Sequence, residues 1–288
     1  MKKLPILCVL LFSLLALSPA ALGNSFSLGT WNASGSQVWR TTFPLHKDAG
    51  TGASELYYPK SGQYITASIE RQLSNQRLLT VEGGIIGSIN KGVGSDSDWD
   101  YTLSPNLWYY GEFATGGKNY YLSVNWKQPV NSHTQFFYGY SYQFNHYSMT
   151  DGLYLIEDYD PVFHLFPNLN SYYTMIYHGP YAGISYYKPV AKKLSAFANL
   201  SYTPLALAQG HGWWNLRNLH FEHVGPAQMF NSQVGVDIQL SSSSILSLGY
   251  RYQHNRIFAG RESSNSTISW AKASTTQKGF YFTGKHYF

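Results

Sequence analysis

Apolar and polar side chains alternate with a period of two along most of this chain. In Phe136–Asn145, Phe136, Tyr138, Tyr140, Tyr142 and Phe144 share one face, and Phe137, Gly139, Ser141, Gln143 and Asn145 share the other. A helix would scatter these positions around its axis, whereas a strand sends them to opposite sides. Val234, Val236, Ile238 and Leu240 oppose Gln233, Gly235, Asp237 and Gln239 in the same way. Leu248, Tyr250 and Tyr252 oppose Ser247, Gly249, Arg251 and Gln253, and Val81, Ile85 and Ile89 oppose Thr80, Glu82 and Ser88. At the end of the chain Phe280, Phe282 and Phe288 oppose Tyr281, Thr283, Lys285 and Tyr287.

A soluble sandwich alternates too. These strands, however, approach the roughly nine to eleven residues that cross a bilayer at a tilt. Their polar face is mostly neutral and Gly-rich, as a narrow filled lumen requires. The connections alternate in length. Short polar turns stand at Ser74–Gln76, Gln128–His133, Val190–Lys193 and Ser241–Ser244. Longer irregular stretches stand near Phe43–Gly52, Asn90–Pro105, Met149–Asn170, Gln209–Gly225 and Gly260–Ser269. Four short turns and five long loops predict an all-β, closed antiparallel transmembrane barrel of ten strands. Both termini and the short turns then face the periplasm, and the long loops face outside.

Composition supports a barrel. Only 12% of the residues are charged and 17% are aromatic, with 25 Tyr; a soluble domain carries about 25% charged residues. Lys2 and Lys3 followed by the apolar run Leu4–Leu17 and the small residues near Ala21–Gly23 read as a signal peptide over 1–23, leaving 24–288 as one barrel domain. An uncleaved anchor is the alternative, although the run is short of the roughly 20 residues a spanning helix needs. The lone Cys8 lies inside this segment, so neither disulfide nor thiol chemistry is expected beyond it. Without Lys2 and Lys3, 18 basic residues face 15 acidic ones, a net charge of +3. That is too mild to point to nucleic acid. No Cys/His spacing suggests a metal, and no cofactor is expected. The partners expected are outer-membrane lipid, with lipopolysaccharide a candidate requirement, and a peptide or protein at the extracellular mouth.

Several segments together resemble the omptin family of outer-membrane proteases: Ser27-Leu28-Gly29-Thr30, the stretch GVGSDSDWD over Gly92–Asp100, Tyr110-Gly111-Glu112-Phe113, and the ending Lys285-His286-Tyr287-Phe288. The resemblance implies a cell-surface endopeptidase with two residue pairs on opposite rims of a barrel mouth. Asp96 and Asp98, followed by Trp99, match the first pair, an Asp-x-Asp that holds and activates a water. Two close carboxylates repel, so one holds a proton. The bland alternatives are an exposed acidic loop or a cation site shared with Asp100. The second pair, Asp-x-His, is not matched: Gly212-Trp213-Trp214 stands in its place. His211 and His220 are the candidate replacement bases, with Glu222 and His223 nearby; the alternative reading makes them rim residues beside an aromatic patch.

Inward-facing Glu82, Asp237, Arg251 and Lys285 suggest a charged ladder that fills the lumen, with a transport path as the alternative. Tyr154, Ile156, Phe163, Leu165 and Phe166 lie in an apolar loop that either contacts a partner or folds over the mouth. Two functions remain open. One is a surface binding or envelope barrel without proteolysis. The other is an omptin-type endopeptidase in which Asp96 and Asp98 activate water.

Overall fold

A computed structural model describes residues 24–45, 50–73, 77–102, 105–263, 265 and 267–288. The expected signal segment 1–23 and turn 74–76 lie outside the described residues. Ten staves follow one another: β1 (Ser25–Leu45), β2 (Gly50–Gln72), β3 in two stretches (Leu78–Ile86 and Gly92–Asp100), β4 (Asn106–Pro129), β5 (Thr134–Glu157), β6 (Asp160–Ala191), β7 (Leu194–Trp214), β8 (Leu219–Gln239), β9 (Ser244–Ile257) and β10 (Ser269–Tyr287). Each pairs antiparallel with the next, and β10 pairs back onto β1 from Ser25↔Tyr287 upward. The sheet is therefore a closed ring, which removes the free edges that an open sandwich would leave.

Alternation assigns the two faces as the sequence predicts. Leu28, Ile65, Phe136, Tyr138, Val234, Phe280 and Phe282 point outward and are exposed, forming an apolar outer band. The inner face is not uniformly polar, contrary to expectation. Its lower half, toward the short turns, is a polar chamber of about 600 Å³. Its upper half is packed with Trp39, Tyr58, Tyr147, Tyr173 and Trp270. Trp31 and Tyr64 stack between the two halves with their rings 4.8 Å apart. Fully buried Lys60 is held there by Tyr64 Oη and Asn145 Oδ1, each at 3.0 Å.

The expected charged ladder is two separate clusters. Arg251 pairs with Glu82 at 2.8 Å between the rings of Trp31 and Tyr121. Lys285 pairs with Glu70, which also takes Lys127 at 2.5 Å. Asp237 accepts from Ser247 at 2.6 Å.

The stretches expected as long irregular loops are largely paired strand. β5 and β6 run on as a hairpin to Asp158 and Tyr159, whose φ of 50° and 71° make a tight turn that matches strand twist. β7 and β8 run on to a single 3₁₀ turn, Asn215–Arg217. Beyond the apolar band the outward side chains meet water, so the hydropathy alternation fades while backbone pairing continues. Ile89 also departs from expectation. β3 breaks at 87–91, and Ile89 turns inward to 2% exposure. Its N–H donates to Gly117 O at 2.8 Å, so the break leaves that donor satisfied.

Candidate functional site

The resumed stretch of β3 carries Asp96 and Asp98 on alternate positions, so both side chains face into the upper barrel. Asp96 lies opposite Leu56 and Gly111, and Asp98 lies opposite Ser54 and Tyr109. This level is above the apolar band: on the outer surface Glu55, beside Ser97, pairs with Arg40 at 3.1 Å and Lys272 at 3.4 Å. A carboxylate flanked by two cations on the outer wall belongs in water, not hydrocarbon.

The two carboxylates are poorly served. Asp96 is 8% exposed. Asp96 Oδ1 and Asp98 Oδ1 are both buried and meet no donor among the described residues. Burial pushes the Asp96 carboxyl well above the usual carboxylate range, and the neighbouring Asp98 charge adds to the rise; Arg217 and the Ser54 hydroxyl oppose it. Burial raises Asp98 as well, against Ser54 and Arg217. The pair therefore retains a proton more readily than free carboxyls do. Tyr109 and Tyr154 complete the wall, edge-to-face with rings 5.4 Å apart and both within range of the Asp96 charge. Asp100 does not join the pair. Its Oδ1 accepts from Thr102 N at 2.7 Å, and its Oδ2 accepts from Tyr159 at 3.0 Å.

The facing rim offers no matching acid and base. Gly212 and Trp214 point inward, where the omptin pattern would set Asp and His. A Cβ on Gly212 would lie 2.0 Å from the Phe221 ring, so that space is already filled. Trp214 packs against the aromatic core. His211 and His220 lie on the outer side of the sheet and are not brought together with Asp96 and Asp98. His220 stacks on Trp213 with centroids 4.1 Å apart. His211 Nδ1 is 3.6 Å from Glu222, and its Nε2 is 3.3 Å from Tyr172 Oη.

Among the described residues of this rim the inward histidine is His223, at 2% exposure. Its ring stands between Trp39 and Trp270, with centroids 5.4 and 5.2 Å away, and its Nδ1 lies 3.2 Å from Tyr173 Oη. Burial holds it down to about 4, so it is neutral at physiological pH. Tyr58, Trp39 and Tyr173 stack beside it, with Tyr58 toward Asp96. Among the five apolar residues singled out above, Tyr154 and Phe166 fold over the mouth against Tyr109, whereas Phe163 and Leu165 are 80% and 72% exposed.

Ser54, Tyr58, Tyr109 and Arg217 belong to the site and were not singled out from the sequence. Ser54 and Tyr109 become visible only through register, because they sit across from Asp98 on β2 and β4.

A ten-stave closed barrel with an apolar outer band and an acidic mouth is an outer-membrane β-barrel of omptin-like architecture. The outer membrane protease OmpT from Escherichia coli superimposes with a TM-score of 0.73 at 13% identity, over 94% of this chain and 99% of that one. The translocator domain of autotransporter NalP from Neisseria meningitidis aligns over 99% of this chain and 95% of that one at 11% identity, with a TM-score of only 0.38. No curated protein matches the sequence. A family model, "Pom: Protochlamydia outer membrane protein", matches residues 131–280, more than half the chain, and the chain belongs to that family. The match runs from the turn before β5 into β10 and leaves Asp96 and Asp98 outside it.

Proposed function

We propose that this barrel is a surface binding protein whose extracellular mouth takes cationic groups and does not cleave peptides. One observation carries the reading. Two carboxylates with buried, donorless Oδ1 atoms, unmatched by any ion pair among the described residues, line a mouth whose opposite rim presents Gly212 and Trp214 in place of an acid and a base. Uncompensated buried carboxylates are costly unless something positive visits them. Tyr109 and Tyr154, beside the pair, supply aromatic rings that favour a cation. Among the described residues His211 and His220 face away from the pair, and His223 is held between Trp39 and Trp270 against Tyr173, which argues against a histidine base for an attacking water. Outer-membrane lipid, lipopolysaccharide included, would cover the outward band.

The test is to refold the purified barrel with lipopolysaccharide and offer a peptide pool containing paired basic residues. The expected result is saturable binding, strongly weakened in the double variant Asp96→Asn/Asp98→Asn, with every peptide intact. Cleavage that disappears in Asp96→Ala would instead establish the alternative, an omptin-type endopeptidase in which the two acids activate water.

A further inference from the structure

At the level of Arg251 the lumen is filled unequally. On the β1–β2 side the Trp31 ring lies 5.0 Å from the Arg251 guanidinium, and Tyr64 meets Tyr121 edge-on with centroids 5.7 Å apart. On the side walled by β3 to β9 there is a niche of about 120 Å³. It adjoins the polar chamber below, with Glu82, Arg251, Asn199 and Gln233 as shared walls, and that chamber extends to Ser132 and His133 of the β4–β5 turn. The charges beside the niche are spent on one another: Glu82 on Arg251 at 2.8 Å, and Lys127 on Glu70 at 2.5 Å. The remaining wall is rich in amides. Asn199 Nδ2 donates to Gln233 Oε1 at 3.3 Å, and Asn255 Nδ2 donates to Gln143 Oε1 at 2.6 Å. Asn125 and Asn255, 5% and 1% exposed, each keep a buried Oδ1 that meets no donor among the described residues. Tyr181 and Phe137 add two rings, edge to face with centroids 6.0 Å apart. A Cβ on Gly183 would lie 2.3 Å from the Phe137 ring, so a glycine there is what makes room for it.

These walls select against an ion and for hydroxyl groups. With the local charges already paired, a charged ligand loses its hydration and gains no counter-ion. A hydroxyl both donates and accepts, so it satisfies an amide whichever of its two ends is left over. The two rings offer apolar surface beside those amides, as a molecule with polar edges and a C–H face requires. A cavity of roughly 150 Å³ holds a benzene-sized ring, so the niche takes one small ring and leaves its substituents in the adjoining chamber. We propose that this niche binds the ring of a neutral sugar, its hydroxyls on Asn125 and Asn255 and its C–H face against Tyr181 and Phe137, with entry from the short-turn end. The site is separate from the acidic mouth, which lies beyond Lys60 and the aromatic upper half.

Methyl glucoside, glucosamine and glucuronate present one ring in neutral, cationic and anionic form. Their binding to the barrel, refolded in a detergent without sugar headgroups, is read by saturation-transfer NMR, with folding of each variant checked by heat-modifiable gel mobility. The neutral ring should bind with a Kd on the order of 1 mM, as a ligand of its size reaches, and about ten-fold more tightly than either charged ring. Asn125→Leu should weaken it about five-fold, the loss of one hydrogen bond, without lowering the urea midpoint, because the lost Oδ1 has no partner in the protein. A purely structural role for that amide would move the midpoint and leave binding alone. Ser201→Trp, which puts an indole into the niche, should abolish binding, and Asp96→Asn/Asp98→Asn at the mouth should not change it. Should Ser201→Trp fail to fold, Asn125→Leu decides. No saturable binding of the neutral ring, equal binding of all three rings, or binding that Asn125→Leu leaves intact overturns the inference, whatever the peptides do at the mouth.

Discussion

Two groups of acids share the inside of one barrel and are treated in opposite ways. Near the short turns Glu70 sits between Lys127 and Lys285, and Glu82 faces Arg251 and Tyr121. At the mouth Asp96 and Asp98, among the described residues, close no ion pair, and each leaves its Oδ1 buried without a donor. The lower acids are structural: each charge is cancelled where it stands, and the polar chamber is held together by that cancellation. The upper acids lack such partners among the described residues, which costs stability, and the proposed cation site rests on that cost.

The contrast breaks most visibly at Arg251. Glu82→Ala should leave Arg251, 6% exposed, without its carboxylate and lower stability by about 3–5 kcal/mol, measured by urea unfolding of the barrel in vesicles. A next, smaller effect is expected at Gly212. Gly212→Ala drives a methyl into Phe221, which is wedged by Trp39 and Tyr173, and should cost about 1–3 kcal/mol; adding Phe221→Leu should recover part of it.

The mouth acids give a pH signature of the opposite sign to a paired carboxylate. The Asp96 carboxyl is raised when folded, so its contribution is fully present below the unfolded value near 3.8 and is lost as pH rises through the folded value. Asp96→Asn removes that loss. The urea midpoint of the variant should match the native protein in acid and exceed it progressively toward neutral pH. An unchanging difference between the two would mean that Asp96 is not buried as described. The smallest effect expected is none. His211→Ala and His220→Ala, on the outer wall, should leave peptide binding and peptide integrity at the mouth unchanged, and a loss of either would bring those histidines back into the chemistry.

The sequence made the staves legible wherever lipid reads one face and the lumen the other. Phe136–Asn145 and Gln233–Leu240 alternate because each outward residue meets hydrocarbon. The same rule fails above the band, which is why Gly92–Asp100 and Met149–Asn170 look irregular yet pair as strands. It also fails at Ile89, where a local break reverses the side chain. For the site, the DSDWD stretch was visible because two acids at spacing two fall on one strand face. Arg217 was not, since it ends a turn that Asn215 pins to another hairpin, and no local pattern encodes that tether. His211 and His220 attracted notice as imidazoles in the expected segment, but facing is set by strand parity: His220 falls on an outward position of β8, and the bulge between Thr203 and Ala206 on β7 shifts His211 to the outer face.

The ring is fastened where its first and last staves meet, with Ser25 across from Tyr287 and Phe288 N–H donating to Asn24 O at 3.1 Å. Until β10 docks, β1 keeps a row of backbone donors and acceptors bare, and hydrocarbon cannot satisfy them. Insertion and closure are thereby tied together: a partly threaded sheet has no stable resting place in the bilayer, so shortening the final stave should yield material that is degraded or aggregated and not a smaller pore.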